Sequence, residues 1–189
     1  MKQARVLNVA EMKRLLAVLE AGKHAERNRL AVMLSYLAGL RVGEIAQLKV
    51  SDVYLADNHV RDQILLPASY TKTKDARSVY VSKKLKKELA DYKNCNAFPG
   101  NFTSPLLVTQ KRTAFSPNTL CQLFGELYKK AGIEGASSHS GRRSFITKMA
   151  HNGISPKVIM MLAGHKHLGT TQRYIDVNDE MLKMAVEGI

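Results

Sequence analysis

The sequence predicts a mainly helical protein with a small three-stranded antiparallel β-sheet, an α+β fold, and three observations carry that expectation. Apolar residues recur at helical spacing through the first fifty positions and again beyond residue 116. Between Val53 and Val81, β-branched and aromatic residues alternate with polar ones around two turn-like spots, Ala56-Asp57-Asn58 and Thr71 to Asp75. Residues 93–116 are rich in Asn, Pro, Gly and Ser and read as loop.

Taken in order, residues 9–22 place Met12, Leu15, Leu16 and Leu19 on one helical face, with Gly22 as the stop. A second helix runs from Ala25 to Ala38; it is apolar on most faces after Leu30, the pattern of a central buried helix, and Gly39 breaks it. Helical spacing resumes over 42–49 through Ile45 and Leu48, so Arg41 stands at a helix start. The last hairpin of the sheet pairs Gln63–Leu66 with Arg77–Val81 and carries Thr-Lys-Thr-Lys-Asp near its tip. A helix follows over 83–92. Ser116 caps another, which opens with Pro117 and reaches Ala131. Helices are expected at 140–151, at 155–163 with Ser155 as cap, and around 168–173. A last helix, over 179–187, carries an apolar stripe of Leu182, Ala185, Val186 and Ile189.

The chain has 189 residues, 45% of them hydrophobic and 24% charged, which suits one or two folded domains and excludes disorder as the main state. Lys and Arg number 29 against 16 Asp and Glu, a formal net charge of +13. That excess points to a polyanion, because clustered cations displace counterions from a phosphate backbone. The two cysteines, Cys95 and Cys121, form no CxxC pair, and no histidine stands at zinc-ligand spacing from either. His165-Lys166-His167 lacks the paired spacing and carboxylate of a zinc helix, so no metal and no cofactor is assigned. The apolar stretch Leu30–Leu40 is too short to span a membrane, and the first residues hold no signal core; a cytoplasmic, DNA-associated protein is expected.

The residues that suggest chemistry lie far apart: Arg41 after Gly39-Leu40, Lys72 in the basic hairpin, His139 and Arg142, His165 after Gly164, and Tyr174. His139 and Arg142, three residues apart, share one helical face and can address one group. Two guanidiniums suit a phosphodiester on the way to a more negative five-coordinate state, since each donates in a planar fork. Taken singly, each residue has a blander reading: a solvated helix-end arginine, a surface histidine, a packing tyrosine. The joint spacing is what argues for a metal-free phosphoryl-transfer site.

That spacing resembles the catalytic domain of tyrosine recombinases, the phage integrase family. LAGLRVGEIAQLKVSDV (37–53) is similar to the family's first arginine box, with Glu44 one turn beyond Arg41. HSGRRSFITKMAHNGISPKVIMMLAGHKHLGTTQRYIDV (139–177) is similar to its second, H-x-x-R, then Gly-His, then the tyrosine: Arg142 follows His139 by 3, His165 follows by 23, and Tyr174 by 9. Lys72 takes the hairpin-lysine position and is preferred over Lys74.

The resemblance implies that Tyr174 attacks the scissile phosphate and leaves a 3′-phosphotyrosyl link with a free 5′-hydroxyl. Arg41 and Arg142 would hold the nonbridging oxygens and His165 would add a donor. Lys72 would protonate the leaving oxygen, and His139 would help move the tyrosine proton. A second strand's 5′-hydroxyl would then attack the link, with no need of ATP or Mg²⁺. Lys74, Arg77 and Arg143 are expected as DNA contacts.

The implied partners are double-stranded DNA and three further copies, as a homotetramer on synapsed sites, with room for accessory DNA-bending proteins and no membrane. Residues 1–177 are read as the catalytic domain and 178–189 as a helix expected to dock in trans on a neighbouring copy, with docking in cis as the rival. The separate N-terminal core-binding domain of most members has no room in this chain. One departure stands out: Gly141-Arg142-Arg143 replaces the usual leucine before the second arginine. The alternatives are a topoisomerase IB-like nicking and closing enzyme, or a DNA-binding regulator that has lost strand exchange.

Overall fold

Asn8 opens the first helix by exchanging hydrogen bonds with Glu11: its side chain accepts from the Glu11 N–H at 2.8 Å, and the Glu11 carboxylate accepts from the Asn8 N–H at 3.0 Å. The computed structural model describes residues 4–71, 74–95, 97–175, 182–183 and 186–187. Helix α1 (Val9–Glu20) buries Met12, Leu15 and Leu19 and ends just before the expected Gly22 stop. Helix α2 (Ala25–Ala38) is buried on most faces and packs against α1, α5 and α7. Gly39 closes it at φ 62°, where a Cβ would also collide with the Phe145 ring.

The helix expected over 42–49 is instead two short ones, α3 (Val42–Gln47) and α4 (Val50–Val53). Between them Leu48 and Lys49 are extended; the Asp52 carboxylate accepts from the Lys49 N–H at 2.8 Å and starts the second turn.

Strands β1 (Gln63–Leu66) and β2 (Arg77–Tyr80) pair antiparallel as expected, with Ile64 opposite Val79 and Leu66 opposite Arg77. Among the described residues the sheet has two strands, not three. The alternation at 53–60 is realised as a turn closed by one bridge, Tyr54 to Val60, with Asn58 at φ 72°. Tyr54 is buried there because its hydroxyl donates to the Leu89 carbonyl at 2.8 Å, so a β-like residue pattern serves a packed loop.

Helix α5 (Lys83–Lys93) is tied to α2 by the Arg29–Glu88 fork, both N–O distances 2.7 Å. Helices α6 (Pro117–Lys130) and α8 (Pro156–Ala163) begin at the expected Ser116 and Ser155 caps, with α7 (Ser140–His151) between them and α9 (Leu168–Gln172) after. Of the final segment, Leu182, Lys183, Val186 and Glu187 are helical and exposed, while the rest of the expected last helix lies outside the described residues. Among the described residues, no helix is long and apolar enough to cross a membrane.

Among the described residues two apolar clusters result. A large one joins α1 to α6. A small one, Ile146, Ala150, Ile159 and Ala163, joins α7 to α8, with Phe145, Met149 and Tyr174 packed against it. Of the residues singled out by spacing, Arg41, His139, Arg142, His165 and Tyr174 gather around one cleft.

Candidate active site

Two close approaches build the site from the backbone upward. Gly141 brings α7 hard against α2, since a Cβ there would stand 2.8 Å from the Ser35 hydroxyl oxygen. The glycine that departs from the family pattern is therefore what lets the next residue reach the end of α2. Arg142 does so: its guanidinium donates to the carbonyls of Gly39, at the α2 cap, and Ala163, at the end of α8. The side chain is buried, and burial, with Arg41 and Arg77 nearby, pushes its pKa down to about 9, which leaves it charged at neutral pH.

Arg41 precedes α3, where the Glu44 carboxylate accepts from its backbone N–H at 2.8 Å and from Nη1 at 2.9 Å. Its Nη2 donates to the Gly164 carbonyl at 3.1 Å. Glu44 is 1% exposed and takes a second arginine as well, accepting from Arg77 Nη2 at 2.8 Å and Nε at 3.3 Å. Burial alone would raise its pKa, but the bonds from Arg77 and Arg41 outweigh that and hold it below the usual carboxylate value.

Arg77 thus occupies a different place from the DNA-facing one expected. Its side chain is 9% exposed, and its third bond, Nη1 to the Leu162 carbonyl at 3.0 Å, ties β2 to α8. It serves as a brace for Glu44 because β2 starts directly beside the end of α8. Gly164, at φ 62°, gives it room, since a Cβ there would run into the Arg77 side chain.

His165 follows Gly164 and is held by Thr171, with Nδ1 2.9 Å from the hydroxyl oxygen of that fully buried residue. Burial lowers the imidazole pKa to about 4, helped by the positive charges of Arg142, Arg41 and Arg77, so the ring is neutral at physiological pH. The Tyr174 ring stacks on it, centroids 5.8 Å apart and planes at 21°. Arg143 covers the same ring, its Cζ 5.3 Å from the centroid. Arg143 is thereby placed against Tyr174.

His139 is the residue before α7 and stays exposed, its Nδ1 3.4 Å from the Ser138 hydroxyl oxygen. Lys74 is exposed in the hairpin turn at φ 56°, and Lys72 lies outside the described residues. The hairpin meets the site through Asp75, which pairs with Lys166 at 2.9 Å, next to His165.

Arg41, His139, Arg142, His165 and Tyr174 all line one open cleft of about 950 Å³. Arg5 and Arg173, which also line it, and Thr171, which holds His165, do not stand out by sequence spacing. Arg173 adjoins Tyr174 in sequence, which is a usable signal; Arg5 carries none. Among the described residues, no group of three His, Cys, Asp or Glu is placed to hold a metal ion. The cleft can grip an anion between fixed guanidiniums and present a phenol to it.

The model of the phage integrase family matches residues 5–181. The tyrosine recombinase XerA of Pyrococcus furiosus is 33% identical over 185 residues, 96% of this chain and 60% of that protein. A crystal structure of XerA recombinase aligns with a TM-score of 0.76 at 27% identity, covering 99% of this chain and 66% of that one. The integrase of transposon Tn1549, solved in complex with circular intermediate DNA, shares the fold with a TM-score of 0.78 at 18% identity, covering 99% of this chain and 67% of that one. The chain spans between 51% and 62% of the length of the curated relatives it matches.

Proposed function

The chain belongs to the phage integrase family, and from that premise we propose that it cuts and rejoins double-stranded DNA at specific sites through a covalent 3′-phosphotyrosyl intermediate on Tyr174. One observation carries the reading: Tyr174 lies in the same cleft as two fixed guanidiniums, Arg41 and Arg142, and stacks on a neutral His165.

In this reading the nonbridging oxygens of the scissile phosphate sit between Arg41 and Arg142. Both are held by protein acceptors, so little reorganisation is needed as charge develops. With the Thr171 hydroxyl donating to Nδ1, the His165 proton sits on Nε2 and adds a neutral donor. The Tyr174 oxygen forms a bond to phosphorus while the bond to the 5′-oxygen breaks. His139, at the rim of the cleft, takes the phenolic proton, and Lys72 in the hairpin gives one to the leaving oxygen. The reverse step, with a new 5′-hydroxyl as nucleophile, rejoins the strand and restores Tyr174. Lys74 supports a backbone contact beside the hairpin.

Residues 1–177 act in this reading as the catalytic domain, and four copies assemble on two synapsed DNA sites. The segment 178–189 docks on a neighbouring copy, an idea supported by the exposed apolar Leu182 and Val186. Removing 178–189 should then abolish association of DNA-bound copies; unchanged association and cleavage would count against exchange.

Covalent trapping tests the chemistry. The protein is incubated with nicked duplexes from a random-sequence library in EDTA and resolved under denaturing conditions. A protein–DNA band that vanishes in Tyr174→Phe supports the proposal, and sequencing the trapped DNA reveals the preferred site. A band that persists in Tyr174→Phe removes Tyr174 as nucleophile. Salt-sensitive binding without any band would favour a regulator.

A further inference from the structure

We propose that Arg5, in the segment before α1, binds the backbone phosphate next to the one being cut. The inference rests on reading the cleft as a DNA site and extends that site to a residue outside both arginine boxes.

Three observations support it. First, Arg5 lines the same cleft as Arg41, Arg142 and Tyr174. At about 950 Å³ the cleft stands near the top of the range for sites that enclose a whole drug-sized ligand, so it has room for more than one phosphodiester. Second, the segment that carries Arg5 is fixed to the catalytic helix. The Leu7 N–H donates to the Ser144 hydroxyl at 2.8 Å, two residues after Arg142, and Leu7 itself is 4% exposed. Arg5 is therefore set relative to Arg142 by a buried anchor.

Third, the guanidinium is held without being used up. Nη2 pairs with the buried Glu11 carboxylate at 2.5 Å and Nη1 donates to the Glu134 carbonyl at 3.3 Å, while the side chain keeps 48% of its exposure. An arginine has five N–H donors in a rigid fork, and these two contacts leave about three for a phosphate. Glu11 is itself fixed by the Asn8 N–H, so the carboxylate, the fork and the cleft are aligned before any DNA arrives. A donor ordered in advance loses less entropy on binding. If Arg5 served only to brace α1, its place on the cleft wall would have no use.

The test is a salt titration of binding to a 30-base-pair duplex of arbitrary sequence, with the full chain and with Arg5→Gln, Arg5→Lys and Glu11→Gln. Each phosphate contact contributes about 0.9 to the slope of log affinity against log salt. Arg5→Gln is expected to lower the slope by about that amount and weaken binding several-fold at low salt, whereas Arg5→Lys keeps the slope. Glu11→Gln, which leaves the arginine in place, should also keep it. The inference is overturned if Arg5→Gln and Glu11→Gln lower the melting temperature alike while neither changes the slope, the result expected of a brace. If Arg5→Gln does not fold, Arg5→Ser at low temperature replaces it and is read on the same slope. A parent chain without salt-dependent duplex binding overturns the reading of the cleft itself, and the two failures are thereby distinct.

Discussion

Tyr174 and His165 lie ring against ring, with centroids 5.8 Å apart and planes inclined by 21°, and the His165 ring is held at its Nδ1 edge by Thr171. The tyrosine thus takes its orientation from a histidine that is in turn held by a buried hydroxyl. Tyr174 packs against the small α7–α8 cluster, whereas Arg41 and Glu44 adjoin Val42 and Ile45 of α3, which belong to the large one. The site is assembled across the seam, and its precision depends on the few bonds that cross it.

Thr171→Val removes the hydroxyl with little change in volume. His165 loses the hydroxyl bonded to its Nδ1, and for metal-bound histidines the loss of such an orienting partner typically costs roughly ten- to a hundredfold in function. The rate of covalent complex formation should fall by that order while duplex affinity is unchanged. A rate equal to that of the parent would show that the stacked ring needs no support.

Glu44 joins Arg41 to Arg77 from a position that is 1% exposed. Truncating one partner of a buried ion pair leaves an uncompensated charge and costs about 3–5 kcal/mol. Glu44→Ala should therefore show a large drop in denaturant midpoint. Glu44→Gln, which still offers one acceptor, should fall between that variant and the parent.

Arg142→Lys tests geometry at constant charge. An ammonium cannot reach both the Gly39 and the Ala163 carbonyls in the fork arrangement, so one buried acceptor is orphaned at a cost of about 1–3 kcal/mol. Loss of an oriented donor at the phosphate should lower the cleavage rate by roughly 10²–10³. Single-turnover trapping and chemical denaturation on the same sample check both effects.

Acid should weaken the fold in two stages. The folded His165 titrates at about 4 against 6.5 for the free side chain, so the folded state binds fewer protons in that window. Its contribution is fully present above pH 6.5 and is lost as pH falls from 6.5 towards 4. Glu44, whose pKa is depressed, contributes above its free-carboxylate value of 4.5 and loses that contribution as pH falls through its folded pKa. Denaturation midpoints followed against pH should decline through both windows. His165→Gln should flatten the upper one and leave the lower.

Much of this protein is local in sequence, and that part was legible. Caps at Ser116 and Ser155, the break at Gly39 and the pairing of β1 with β2 depend on residues close together in the chain. The spacing of Arg41, His139, Arg142, His165 and Tyr174 likewise identified residues that do share one cleft. The expected third strand failed for a physical reason: alternation of apolar and polar residues reports half-burial, and a turn that buries Tyr54 through the Leu89 carbonyl satisfies it as well as a strand does.

Sequence by itself determined most of the helical elements, the basic charge and a set of residues that share one cleft, because periodicity, capping and covalent spacing act over short stretches of chain. Tertiary structure alone decided which acceptors hold each arginine. Arg77 meets Glu44 across 33 positions, Arg142 meets Gly39 across 103 and Arg41 meets Gly164 across 123. A buried guanidinium must find acceptors wherever packing leaves them, and that choice is made by the meeting of two apolar clusters.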